Sequence, residues 1–555
     1  MNLIGNINAI PFRRFRGGGG VFPIPPFPSI SGITARYSAL GLTNEQMAAN
    51  PVWVDKTGNG HDLQMKNFAW KEGSGISDVY LGALVFDGVD DYGTCDNFPI
   101  LTKEKGYTVV ALRQWDQDFL NTTLTGGLLS TRNYSTGEGV AFEKIESSNK
   151  GYWNLGAGGI IDFAKSPFTW QTSKQYNNVG ILKGNKNHGK PLCVGSGLSG
   201  GQQCGRFAIW EIVILDHDAT EEELTKIKNY FIKTYPWLFP DQAWTVTGKT
   251  NEDEDRATIA NITGNGNDLV LSNFGFAKGS GYGLYAENYA GGRWVQSTDR
   301  ADLTWTSYSV NITSVKVAST QLYYQFYPEQ PSFIVPSYKI KVYGLKDGQT
   351  LSYRQATSEG QQLYKISEDG TYTLPSFPFK ANGDWYGFTL NKVQESCDIT
   401  IEQIPEYEGY LVTDGVDDKI TSSTFEMGND WTVIGDWELI NTGKNDNAGI
   451  VKFNSIVIYN YNPILINIKN GRNNLIPDQN TVNAICSDGR IYSKDWKESI
   501  YNEETESTSK NLLTIGYSGN DYTKIAFRNL AIYPTVFSKE DCIKAYNYLQ
   551  TLKAK

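Results

Sequence analysis

The sequence predicts an all-β chain that uses one sandwich module twice and splits the second copy with an inserted β domain. Three observations predict it: a composition rich in rings and glycine, a motif string that recurs at a fixed offset, and short alternating runs bounded by turn residues. Among 555 residues there are 33 Tyr, 25 Phe and 14 Trp, with 56 Gly. Rings favour the pleated, half-buried surface of a strand, and glycine serves tight turns. The length allows three or four domains, each with its own core.

The repeat is read by self-comparison. Asp55-Lys56-Thr57-Gly58-Asn59-Gly60-His61-Asp62-Leu63 recurs as Asn261-Ile262-Thr263-Gly264-Asn265-Gly266-Asn267-Asp268-Leu269, and Asn67 to Gly75 recurs as Asn273 to Gly281, both 206 residues later. Leu84-Val85-Phe86-Asp87-Gly88-Val89-Asp90-Asp91 then recurs as Leu411-Val412-Thr413-Asp414-Gly415-Val416-Asp417-Asp418, an offset of 327, which leaves 121 extra residues inside the second copy. Both copies close alike. Phe207 to Leu215 and Ile525 to Tyr533 read as strands, each followed by a capped helix, Thr220 with Glu223 and Ser538 with Asp541. Leu224, Ile227 and Phe231 share one helix face, as do Ile543, Tyr546 and Leu549.

Between these landmarks, runs such as Tyr107 to Leu112 and Trp431 to Gly435 read as alternating strands punctuated by Asn-Gly and Asp-Gly turns. The first module therefore spans 33–239, and the second spans 240–300 with 407–555. The insert, 301–406, carries strand-like runs at Ser307–Val317, Ser337–Tyr343, Gly370–Leu374, Trp385–Leu390 and Cys397–Ile404. About a hundred residues with strands at this spacing read as a small immunoglobulin-like sandwich.

Residues 1–32 differ from the rest. Phe12-Arg13-Arg14-Phe15-Arg16 precedes four glycines, then Val21-Phe22-Pro23-Ile24-Pro25-Pro26-Phe27-Pro28, and up to Arg36 there are four arginines and no acidic residue. Glycine gives a hinge and the proline run a stiff spacer, so the segment builds no core of its own. It reads either as a disordered tail or as an arm that gains order by docking into a neighbouring subunit. We expect the arm, with Phe12, Phe15, Phe22 and Phe27 in pockets and Arg13, Arg14 and Arg16 on carboxylates of the partner.

A net charge of −10 lacks the basic field that nucleic-acid binding needs. No secretory signal opens the sequence, and no run of 18 apolar residues predicts a membrane-spanning helix. The six cysteines fit no zinc spacing and read as reduced thiols, although Cys193 and Cys204, which flank a Gly-rich stretch, could pair. His61, His188 and His217 lie far apart, so neither a triad nor a metal cluster is expected. Asp87, Asp90 and Asp91, with their copies Asp414, Asp417 and Asp418, have oxygen ligands suited to calcium, yet acids in such a turn more often cap backbone amides. No cofactor is expected. Trp70, Trp153, Trp385 and Trp437 are candidate platforms for a glycan, against the commoner use of Trp in a core.

Leu84 to Tyr92, preceded by Asp55 to Gly60, resembles the laminin-G-like, concanavalin A-like jelly-roll superfamily over both modules, roughly 400 residues. That resemblance implies a fold and leaves the ligand open. The layout of arm, two sandwiches and inserted domain is also similar to virion fibre and head-decoration proteins of crAss-like tailed bacteriophages. It implies a non-enzymatic protein of the virion, assembled in the host cytoplasm as a homo-oligomer. Such a protein is held by capsid or tail proteins and presents sandwiches outward, to host surface glycans among other targets. A tail fibre or lectin-like adhesin devoted to receptor glycans is the alternative. Some concanavalin-like sandwiches are glycosidases with carboxylates about 5 Å apart on one strand, but Glu211 to Asp216 reads E-I-V-I-L-D, with no E-x-D-x-x-E string.

Overall fold

Ten apolar-rich residues, Arg206–Leu215, form the spine of the first sandwich. The computed structural model describes residues 25–554 apart from connecting segments, of which 132–140, 163–178, 286–293, 441–448 and 501–512 are the longest. Residues 103 and 121 and several shorter segments also lie outside the described residues. The spine pairs along one edge with Thr108–Trp115 and along the other with Leu84–Asp87 and then Ile33–Ser38. Val179–Lys183 and Gly75–Ile76 complete this sheet. The facing sheet runs in the order Val52–Trp53, Leu63–Lys66, Tyr92–Cys95, Leu192–Val194, Gly126–Ser130, Ala141–Lys144, Lys150–Asn154, Gly159–Asp162. Between the layers lie Tyr37, Trp53, Leu63, Phe86, Val109, Phe207, Ile209, Ile212 and Ile214.

The second sandwich repeats this plan. Ile525–Tyr533 is its spine, flanked by Thr432–Leu439 on one edge and by Glu406–Val412 and Gln242–Thr245 on the other. Its facing sheet runs from Thr258–Ile259 through Leu269–Ser272, Lys419–Thr421, Leu513–Ile515 and Gly449–Phe453 to Arg472–Leu475. Strand Gly281–Leu284 pairs with Glu406–Val412 across everything between them. The named strands from Trp294 to Ile404 pair only with one another, in two five-stranded sheets and the small Ser332–Val335/Phe377–Lys380 ribbon. Val310, Ile340, Val342, Leu351, Tyr353, Phe388 and Ile399 fill the insert's own core.

Strict alternation is not what the spine sheets show. Thr108–Trp115 is buried at every position, because Val109 and Ala111 face the sandwich core while Val110 and Leu112 face a second one. A β-bulge in each spine, at Ile209/Glu211 and opposite Asp436/Trp437, adds one residue and flips the side-chain parity. Trp210 and Glu211 therefore both turn away from the inner core, on which Ile209 and Ile212 lie.

The second core is the junction of the two sandwiches. The closing helices Glu221–Thr234 and Lys539–Leu549 cover the outer faces of the spine sheets. Each has the expected cap, with Thr220 Oγ accepting from Glu223 N and Ser538 Oγ from Asp541 N. Apolar residues of both modules then form one continuous cluster, including Phe231, Trp237, Leu238, Ile434, Tyr533, Ala545 and Leu549. The link between modules is part of it: Pro236–Leu238 is a 3-10 turn, and the Trp237 carbonyl accepts from the Tyr533 hydroxyl at 3.1 Å. Lys544 Nζ stands 4.5 Å from the Trp237 ring centre. Among the described residues no helix is long and apolar enough to cross a membrane.

Candidate functional site

Of the arm residues singled out in the sequence, Phe12, Arg13, Arg14, Phe15, Arg16 and Phe22 lie outside the described residues, and Phe27 lies within them. Phe27 is seated on its own module. Its ring meets Tyr230 edge-on at 4.8 Å, and the Arg36 guanidinium lies 4.2 Å above it. Beneath is Glu211, fully buried because the bulge turns it toward the helix. Arg36 reaches both its oxygens at 3.2 Å, and Ser38, Tyr230 and Tyr235 donate to Oε1 at 3.1, 3.0 and 3.0 Å. Five donors around one carboxylate satisfy a charge that would otherwise be costly to bury. Burial, then the nearby Glu211 charge, pushes the Tyr230 hydroxyl up to about 12. This cluster fixes the point from which the chain runs back toward residue 1.

The repeated motifs resolve into matched internal hydrogen bonds. Ser74 Oγ accepts from Ala69 N and donates to Asp91, and Ser280 Oγ accepts from Gly275 N and donates to Asp418, at 2.8 and 3.0 Å in both copies. Asn67 and Asn273 each donate to a carbonyl, of Asp90 and Asp417, at 2.9 Å. Asn44 and Asn251 bracket the backbone of Ile76 and Tyr282. A Cβ on Gly75 or Gly281, both at φ +143°, would stand 2.4 Å from that asparagine oxygen. Asp87 Oδ1 accepts from the amides of Val89, Asp90 and Asp91, and Asp414 does the same for Val416, Asp417 and Asp418. In each trio the carboxylate oxygens lie within 4.8 Å of one another; Asp87 and Asp414 serve as turn caps, while Asp91 and Asp418 each accept from a serine hydroxyl and from the Asp87 or Asp414 amide.

The aromatic candidates separate. Trp437 is buried, its ring covering Gly435, where any Cβ would collide with it. The side chains of Trp153 and Trp385 lie outside the described residues. Trp70 is half-buried and stacked 4.8 Å from Phe68, at the positive-φ position that Phe276 takes in the second copy. His61 lies against the Thr34 carbonyl at 3.0 Å, His217 bridges Asp216 and Glu223, and His188 lies outside the described residues. Cys193 and Cys204 are buried free thiols.

Among the described residues, sequence reading passed over the exposed ring of Tyr343 on the insert. Strand Tyr338–Tyr343 alternates so that Tyr338, Ile340 and Val342 enter the insert core while Lys339, Lys341 and Tyr343 face outward. Tyr343 is 41 % exposed, with Lys341 Nζ 5.6 Å from its ring centre. Across the sheet Tyr343 is in register with Thr400, and Thr400 with Asn311, whose amide donates to Thr400 and Asp398 at 2.8 Å. The alternation in Y-K-I-K-V-Y was the signal that could have found it.

No family model matches this chain, and no curated protein does. Among solved structures, the receptor-binding domain of botulinum neurotoxin mosaic serotype C/D is 8 % identical, covering 92 % of this chain and 98 % of that one at a TM-score of 0.29. A Trypanosoma rangeli sialidase in complex with sialic acid is 14 % identical over 37 % of this chain and 33 % of its own length, at 0.25. The tandem CBM22 domains of Paenibacillus barcinonensis Xyn10C are 9 % identical over 47 % of this chain and 100 % of theirs, at 0.15. The functional reading therefore rests on this chain's own residues.

Proposed function

We propose that this chain is a structural protein of a virion, a head fibre or similar appendage. Its N-terminal arm docks into a capsid or tail subunit, and its sandwiches project from that anchor. The observation that supports this best is the clamped root of the arm: Phe27, Arg36 and Glu211 tie the start of the described chain to a body whose two sandwiches share one core. A stiff body with a fixed exit point transmits position from an anchor to its far modules. The basic, ring-bearing segment Phe12 to Arg16 lies beyond that exit point and offers the charge and apolar contacts an anchor uses. Deleting residues 2–24, short of Phe27, tests this in assembling particles. Incorporation is expected to be lost while the thermal midpoint of the purified chain stays unchanged. Particles that still take up the shortened chain would sink the reading.

Glycan recognition is the second reading, favoured by the exposed Tyr343 ring with Lys341 beside it on the insert, and by the Asn311 amide further along the same sheet. An exposed ring with an ammonium group beside it suits a sugar face and its hydroxyls. Binding of the full chain on a glycan array, lost when the insert is removed, is its expected signature.

A further inference from the structure

Gly32, the residue before strand Ile33–Ser38, carries the arm into the body. Its carbonyl accepts from Asp216 N at 2.9 Å, and its backbone lies so close to the loop after the spine that a Cβ would collide with Asp216 Oδ1 and the His217 ring. The His217 ring itself stands between two carboxylates. Nδ1 is 3.1 Å from Asp216 Oδ1, and Nε2 is 3.1 and 3.2 Å from the two oxygens of Glu223. Glu223 lies in the first turn of helix Glu221–Thr234, whose Tyr230 meets the Phe27 ring. One imidazole thus joins the arm root, the end of the spine and the start of the closing helix. The second module has no such bridge: aligned on the helix caps, Pro534 and Thr535 stand where the first has Asp216 and His217.

An ionised carboxylate only accepts, so both contacts are hydrogen bonds only when both ring nitrogens carry protons. The neutral ring keeps one N–H and turns a lone pair on the other carboxylate. The charges that face the ring are Asp216 from its own loop and Glu223 from the helix. The arm brings the Gly32 backbone, and strand Thr108–Trp115 brings the Thr108 hydroxyl, which donates to the His217 carbonyl at 3.0 Å. We propose that His217 is a proton-operated fastening for the root of the arm: the charged ring ties Asp216, and with it the Gly32 carbonyl, to the capped helix start, and the neutral ring lets the Asp216 side go. Asp216 is the side that opens because Glu223 is held in place by the Thr220 amide and hydroxyl as well, at 2.8 and 2.9 Å. Partial burial works against the charged ring, yet the bonds to Asp216 and Glu223 outweigh it and raise the His217 pKa above its ordinary value. A histidine held more tightly when charged adds stability below its unfolded value of about 6.5 and loses it as pH rises through the higher folded one. The root is therefore fixed in mildly acidic solution and loosens as pH climbs through that window. The fastening concerns how the arm leaves the body, and it holds whatever the arm docks into.

The test labels the 3 histidines of the full chain with 13C and follows their rings by NMR, His217 being the signal missing from His217→Gln. Its titration midpoint is expected above about 6.5. It should fall in Asp216→Asn and in Glu223→Gln, whose amide still caps the helix. Hydrogen exchange on the same full chain reads the consequence at the Asp216 amide, which the Gly32 carbonyl protects. At a pH below the midpoint the parent should exchange severalfold more slowly there than His217→Gln, and above it the two should converge. A midpoint at or below about 6.5, or a parent-to-variant ratio that does not change with pH, would overturn the proposal. Should His217→Gln fail to fold, the midpoints in Asp216→Asn and Glu223→Gln decide alone, and a midpoint that falls in neither sinks the fastening.

Discussion

Asp91 and Asp418 hold corresponding places in the two modules, and both are fully shut off from solvent. Burial pushes their carboxyls up, to about 7 for Asp91 and about 6 for Asp418, against the pull of the Ser74 and Ser280 hydroxyls. Between about pH 4 and these values the folded chain holds protons that the unfolded chain has released. Stability from these two groups is therefore greatest near pH 4 and falls as pH rises toward 7, by on the order of a few kcal/mol per carboxyl. Urea midpoints across that window should drop with rising pH in the parent. They should flatten in the Asp91→Asn, Asp418→Asn double variant, whose amides keep an acceptor for the Asp87 and Asp414 amides. An unchanged slope in the double variant would place the titration elsewhere. These residues were legible in sequence as a recurring turn, because Asp and Gly at fixed spacing have a local meaning. Their serine partners were not, since Ser74 meets Asp91 only after the two strands have paired.

At the scale of elements, the repeat, the capped closing helices and the exposed rows of the insert follow from local pattern. The double burial of the spine sheets does not. Alternation reports only the face that a strand turns to its own partner sheet, and here a helix and a linker cover the other face. The bulges are equally invisible, as one extra residue in a uniformly apolar run leaves no trace in its periodicity. Trp237 is where this matters most: it lies in the seven-residue linker between helix Glu221–Thr234 and strand Gln242–Thr245, yet it packs against both closing helices and under Lys544. Trp237→Ala should cost about 3–5 kcal/mol, the range for emptying a buried aromatic site. Calorimetry should show the parent's shared transition separating into two as the modules uncouple. A single transition at the parent midpoint would show that the junction does not depend on this ring.

For the whole molecule, the insert enters and leaves where two strands of the second sandwich are already neighbours. Leu284 is in register with Glu406 and Tyr282 with Leu411, so the chain ends left by excision are adjacent by construction. The insert's core shares no residue with the junction or with either sandwich core. Closing a short loop costs little conformational entropy. Replacing residues 286–404 with a short Gly/Ser turn should therefore leave a chain that folds with the parent's sandwich transition, measured by calorimetry. It should also enter particles through its intact arm and lose whatever glycan-array signal the parent gives. Retained glycan binding would move recognition to the sandwiches, and a collapsed transition would mean that the insert braces the second module rather than riding on it.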